Sequence, residues 1–139
     1  MSAHELQQRI DTLEESYELM LGYAAQGLQS DVGTGSGAQL RQFLERSAAA
    51  LSGLAEVARA WVPDGGADAK RAYEDFVAVL ERDAASTRAA ILMVLAQPSI
   101  SSQLIDNLNA SIHLRALLTD LFLIDELLKP ETAAAGSGS

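Results

Sequence analysis

The chain has no cysteine among its 139 residues, only three prolines and few aromatic side chains. Without cysteine there are no disulfides, no zinc-thiolate sites and no thiol nucleophile, and this composition is typical of a reducing compartment. We therefore expect a cytoplasmic protein. The first residues, MSAHELQQRIDTLEES, lack the basic and apolar run of a secretory signal.

Long uncharged apolar runs are also missing. The most apolar stretch, residues 112–128, contains Arg115, Asp120, Asp125 and Glu126. Each of these side chains costs roughly 2.5–3.5 kcal/mol at the centre of a bilayer. The sequence therefore predicts no segment that spans a membrane.

Basic residues are scarce: 10 Lys and Arg stand against 19 Asp and Glu, and the net charge is −9. The one adjacent basic pair, Lys70 and Arg71, lies close to Asp68, Glu74 and Asp75. Nucleic acids and anionic lipids repel a surface of this sign. We expect neither nucleic acid nor a membrane as a partner.

Apolar residues, in contrast, are plentiful at 48%, with 21% charged residues, which is enough to offset the entropy lost on folding. The length fits one domain. We predict a single domain over residues 1–130. Residues 131–139, ETAAAGSGS, lack periodic apolar positions and are predicted to be a disordered tail or an added linker.

Four segments repeat apolar residues at the spacing of an α-helix, over residues 3–28, 37–62, 68–96 and 99–129. Capping-box patterns, Ser2 with Glu5 and Ser36 with Gln39, mark the first two starts. The segment DVGTGSG between them, without a preceding strand or a following lysine, predicts a flexible connector rather than a phosphate loop. Four helices of similar length joined by short loops predict an all-α, four-helix up-down-up-down bundle.

The fourth segment is apolar over more than one face. The core stripe is predicted to be Leu114, Leu117, Leu121, Ile124 and Leu128, and a second apolar flank of Leu118, Phe122, Leu123 and Leu127 lies beside it. A second apolar flank must be buried, either by the other helices of the bundle or by a partner, and we favour a homodimer. The candidate interface residues are Leu114, Leu118, Phe122, Leu123 and Leu127.

No motif for chemistry is present. The Glu-x-x-His pairs of di-iron bundles and the Gly-x-Ser-x-Gly turn of hydrolases are absent from the sequence. Leu114-Arg115-Ala116 after His113 lacks the Lys and Gly of histidine phosphotransfer domains. The cluster Glu14, Glu15 and Glu18 is interpreted as a solvated acidic face. We predict no catalytic residue, no metal and no cofactor.

Three polar residues are expected to be partly buried: Arg115, paired with a carboxylate of the first helix, and Asp83 with Thr87 on the third. The predicted function is a non-enzymatic protein-interaction module, such as an adaptor, an assembly chaperone or a scaffold component. The alternative is a small-molecule-binding or enzymatic bundle, with a pocket beside the small residues in the middle of the second helix, Ser47 to Ala55.

Overall fold

The computed structural model describes the backbone of residues 2–137 and the side chains of residues 3–129. All regular structure in this range is helical, so the all-α prediction is confirmed. Six helices are present in the described range, rather than the four predicted. They are α1 (Ser2–Ala25), α2 (Gly35–Leu51), α3 (Leu54–Ala60), α4 (Gly66–Leu95), α5 (Ser102–Ala110) and α6 (Ile112–Ser137).

The second predicted helix, 37–62, is divided into α2 and α3. Gly53 adopts a φ of 76°, which glycine reaches without a steric penalty, and Ser52 before it is extended. The carbonyls freed by the break are satisfied from α1, because Arg9 donates hydrogen bonds to Ala50 O (3.2 Å) and Ser52 O (2.6 Å). Apolar spacing continues across the break, and so periodicity alone did not reveal it.

The fourth predicted helix, 99–129, is divided in the same way at Ser111. This residue is extended, with a ψ of 146°, and its hydroxyl accepts a hydrogen bond from Leu114 N at 3.3 Å. It therefore ends α5 and caps α6. Helix α6 continues to Ser137, beyond the predicted end at residue 129 and into the predicted tail 131–139. The side chains of that tail lie outside the described residues.

The connector between α1 and α2, predicted to be flexible, is fixed by a buried carboxylate. Asp31 is 5% exposed, accepts from Arg41 Nε, and accepts from Ile100 N at 2.6 Å. Arg41 also donates to Leu95 O (3.2 Å) and Gln97 O (2.9 Å) at the end of α4. The Arg41 hydrogen bond holds the pKa of Asp31 below its usual value. We call this arrangement the Asp31–Arg41 clamp.

The core lies between α1 and α4. Helix α1 packs against α2, α3, α5 and α6, and α4 packs against α2, α3 and α6. Near the junction of α3 and α4, Trp61 and Tyr73 meet edge to face with ring centroids 5.5 Å apart, and the Tyr73 hydroxyl donates to Ala58 O. This packing holds Tyr73 of α4 against α3 and Trp61.

Candidate functional site

The five predicted interface residues do not form one exposed patch. Leu114 and Leu118 are 4% and 6% exposed and belong to this chain's own core, which corrects their assignment to an outer surface. The reason is that both α1 and α4 pack against α6, so that its buried face is wide. Phe122, Leu123 and Leu127 remain about half exposed, at 54%, 54% and 49%.

The three exposed residues lie on two different sides of α6. Leu123 and Leu127 are one helical turn apart and line a groove between α4 and α6, whereas the neighbouring Phe122 is rotated by about 100° and is not among the residues that line it. The groove has a volume of about 430 Å³ and is almost entirely apolar. We call it the α4/α6 groove.

The groove exists because alanines on α4 stand opposite leucines on α6. The base is formed by the buried side chains of Tyr73 and Ile124. Its walls are Ala69, Ala72 and Phe76 from α4 and Leu123 and Leu127 from α6. Alanine fills little of the space between two helices, and Pro63 and Asp64 border the groove before α4 begins.

Two carboxyl groups continue the same seam between the helices. Asp120 precedes Leu123 and Leu127 by three and seven residues on α6, and Asp83 follows Phe76 by seven on α4. Residues with these spacings share a helix face. Asp120 is 6% exposed, and its Oδ2 has no hydrogen-bond partner. We call these residues the Asp83/Asp120 pair.

Burial and the neighbouring carboxyl of Asp83 raise the pKa of Asp120. Burial is the largest cause, followed by a hydrogen bond and like charge from Asp83, and together they raise the pKa of Asp120 to about 7. Both effects favour the neutral form of the Asp120 carboxyl. Asp120 is thus a buried carboxyl on the face of α6 that also carries Leu123 and Leu127.

Sequence reasoning found only part of this seam. The prediction of partial burial holds for Asp83 and for Thr87, whose hydroxyl donates to His113 O at 3.0 Å. The burial of Asp120 was not predicted. Its position among Leu117, Leu121 and Ile124, at helical spacing, was the available signal that it is buried.

Arg115 does not lie where the sequence predicted. Its side chain is exposed, because Leu114 and Leu117 face the core and residue 115 lies between them on the outer side of α6. His4 and His113 are exposed as well. None of these three residues contributes to the α4/α6 groove.

The acidic cluster on α1 is spread over two faces. Glu14 is half-buried, and burial, followed by the charge of Asp125, raises its pKa, while Glu15 and Glu18 are exposed. Across the described side chains, no three His, Cys, Asp or Glu residues come together as ligands for a metal ion.

The small residues of α2 do not enclose a ligand cavity. The space inside the helices beside Ser47, also lined by Ser16 and Thr87, is about 10 Å³, which is room for about one water. Outside, a groove of about 350 Å³ between α2, α3 and α4 is lined in part by Ser52, Gly53 and Ala55. Its Arg88 already donates to Ala48 O, and its Glu81 is paired with Arg59.

Comparison of the chain with protein-family models, curated proteins and solved structures finds no match. Within residues 2–137, every helix is too short or too polar to traverse a bilayer. The α4/α6 groove and the adjoining Asp83/Asp120 pair are therefore the features on which a functional proposal rests.

Proposed function

We propose that this protein is a non-enzymatic protein-interaction module, acting as an adaptor, assembly chaperone or scaffold component, and that it binds through the α4/α6 groove. The observation that carries the proposal is the pair of half-exposed leucines, Leu123 and Leu127, on the wall of an apolar groove of about 430 Å³. Large apolar side chains gathered at one concave surface are typical of interaction sites.

The proposal includes the arrangement of the helices. We infer that α2 and α3 together take the place of one helix of an up-down-up-down four-helix bundle, and that α5 and α6 together take the place of another. In support, α1 and α4 each pack against helices of both interrupted units. The groove would then lie between the third and fourth units of the bundle. The lack of cysteine supports a cytoplasmic setting as part of the same proposal.

The energy available in the groove limits what it binds alone. Full burial of a leucine is worth roughly 1.5–3 kcal/mol, and Leu123 and Leu127 are already about half covered. Covering the rest of both adds roughly 2 kcal/mol, well short of the ~8 kcal/mol of a micromolar complex. A specific partner must therefore use further contacts beyond these two leucines.

The test compares two neighbouring substitutions, Leu123→Asp and Phe122→Asp. Both residues lie on α6 and are 54% exposed, but only Leu123 lines the groove. In affinity capture from the native cell, we expect Leu123→Asp to lose a partner that the wild type and Phe122→Asp retain. Circular dichroism and thermal melting would verify that both variants stay folded.

Equal capture by all three proteins would contradict the proposal, and so would equal loss by both variants. Light scattering on the same proteins tests the homodimer, which remains a prediction. Self-association through the groove would give a dimeric wild type, a monomeric Leu123→Asp variant and a dimeric Phe122→Asp variant. A wild type that stays monomeric at high micromolar concentration would refute the homodimer.

A further inference from the structure

We propose that Ser111 is a hinge at which two copies of this chain exchange α6, so that each α4/α6 groove is built from α4 of one chain and α6 of the other. The inference goes beyond the proposed function, because it concerns which chains assemble the groove and not what binds there. It rests on the single-residue break between α5 and α6 and on the rotation of α6 that this break produces.

The break at Ser111 keeps two apolar stripes on the same core. Ile105 of α5 and Leu114 of α6 are both buried, although they are nine positions apart. In one uninterrupted helix, at about 100° per residue, this separation would place them on opposite sides. At the break between α2 and α3, in contrast, the buried Leu51 and Leu54 are three positions apart and would share a face without a break. Of the two breaks, the one at Ser111 therefore decides which side of the following helix faces the core.

A straight helix through Ser111 would gain contacts at the break and lose them along α6. Its backbone would join the N–H groups of Ile112 and His113 to carbonyls of α5. Ile112, now 76% exposed, would come to lie on the face of Ile105 and Leu108. The apolar stripe of α6 would turn away from α1 and α4. The members of this stripe, all buried in the present arrangement, are Leu114, Leu117, Leu121, Ile124 and Leu128.

A second copy of the chain provides the surface that this stripe needs. Burial of such a stripe contributes free energy comparable to the whole stability of a small domain, so that a straight helix with an uncovered stripe is too costly to form. Helices α1 and α4 of another copy present the same surface against which α6 packs here. If two copies exchange α6, each stripe is buried as before and the backbone changes near residue 111 alone, which is the basis of domain swapping.

Helix α5 is tied to its own chain, whereas the hinge depends on a cap. Ser102 Oγ donates to Tyr23 O at 2.6 Å, and the Tyr23 hydroxyl donates to Ile100 O at 2.6 Å. At the hinge, the Ser111 hydroxyl accepts from Leu114 N at 3.3 Å. A serine cap stabilises the start of a helix and has no such role inside an uninterrupted one. Loss of the cap therefore favours the straight helix while α5 stays in place.

Exchange of α6 gives a two-fold dimer with two grooves. In each groove, Tyr73 and Phe76 come from one chain, and Leu123 and Leu127 come from the other. The contacts inside the groove are the same as in the monomer. The exchanged dimer therefore leaves the groove open, unlike a dimer in which a second copy covers Leu123.

Cysteine cross-linking detects exchange directly, because the chain has no cysteine of its own. Gln7 of α1 donates to Asp125 of α6 at 2.9 Å. One chain carries Gln7→Cys and another carries Asp125→Cys, and the two are unfolded together in urea, refolded at high concentration and treated with a short bismaleimide. The matched control uses Arg59→Cys and Glu81→Cys, which replace an ion pair of 2.9 Å between α3 and α4. Both helices of the control precede the hinge.

We expect dimers linked through residues 7 and 125, in a yield that rises with protein concentration, and none through residues 59 and 81. Ser111→Ala should raise the dimerisation constant about tenfold or more, because loss of an N-cap is worth about fivefold at each of two hinges. Ser111→Asp keeps a capping side chain and should stay within about twofold of the wild type. Leu123→Asp should also stay within about twofold, because the groove does not join the two chains.

A chain with both Gln7→Cys and Asp125→Cys, refolded at low concentration, should cross-link within itself and verifies folding and reach. If it does so, absence of the dimer linked through residues 7 and 125 at every concentration would overturn the inference. Equal yield from the control pair would overturn it too, as would equal dimerisation of Ser111→Ala and Ser111→Asp. Should Ser111→Ala not fold, the wild-type concentration series decides alone. The capture experiment is separate, because it tests what the groove binds.

Discussion

Replacing Asp120 by asparagine should change how the stability of this protein depends on pH. The substitution keeps the shape of the side chain but removes its titration. In the folded protein, burial and Asp83 raise the pKa of Asp120 from its ordinary value of 3.8 to about 7. In the unfolded chain the carboxyl is solvated and returns to its ordinary pKa, so that the two states bind different numbers of protons in between.

The sign and size of the effect follow from this difference. Between about pH 4 and pH 7 the folded state keeps a proton that the unfolded state has released, and rising pH therefore lowers the free energy of unfolding. The stabilising contribution is complete below the unfolded pKa and is lost as the pH passes the folded pKa. At about 1.36 kcal/mol per pKa unit, the total change is at most about 4 kcal/mol.

Urea denaturation at pH 5 and pH 8 measures the effect. We expect the wild type to lose roughly 2–3 kcal/mol of stability relative to Asp120→Asn between these two values, with the variant the more stable protein at pH 8. The control Glu74→Gln removes an exposed carboxylate and should follow the wild type.

Parallel pH curves for the wild type and Asp120→Asn would refute the reasoning. They would mean that Asp120 has the same pKa in the folded and the unfolded protein. A variant that is less stable at every pH by the same amount would lead to the same conclusion, because the loss would then come from packing rather than from titration.

Two further predictions concern polar groups in the interior. Asp31→Asn breaks a buried pair and should cost roughly 3–5 kcal/mol by urea denaturation, whereas Glu81→Gln at the exposed pair with Arg59 should cost about 1 kcal/mol or less; equal losses would contradict the role of the clamp. Ser47→Ala removes a buried hydroxyl that has no partner among the described atoms, and it should raise the free energy of unfolding by about 1 kcal/mol or more; a clear loss of stability would show that an ordered water satisfies this hydroxyl.

Periodicity predicted where helices are but not where they break. The apolar stripes of residues 37–62 and 99–129 continue through Gly53 and Ser111, because each stripe keeps packing against the same neighbours after the break. The breaks depend on local backbone chemistry: a left-handed glycine in one case and a serine cap in the other. Gly53 stands among the small residues predicted for the middle of the second helix, and no prediction was made for Ser111.

Only part of the candidate site was predicted from the sequence. Leu123 and Leu127 were identified because a helix with two apolar flanks needs a second cover, and they do lie on an exposed groove. Leu114 and Leu118 were misplaced because the sequence does not show how many neighbours α6 packs against. The Asp83/Asp120 pair joins residues 37 positions apart on two helices, and their proximity depends on a register that only the packed structure fixes.

The Asp31–Arg41 clamp makes the two ends of the molecule unequal. It ties the α1–α2 connection to the end of α4 and to Ile100, whereas α4 begins at Gly65 and Gly66 without a side chain to cap its first turn. Segments held by fewer hydrogen bonds and side-chain contacts open more often by local unfolding. Amide hydrogens at the start of α4, beside the α4/α6 groove, should therefore exchange with solvent faster than those around Arg41. The α4 wall of the groove at Ala69 and Ala72 would then open locally while the clamped end of α4 stays closed.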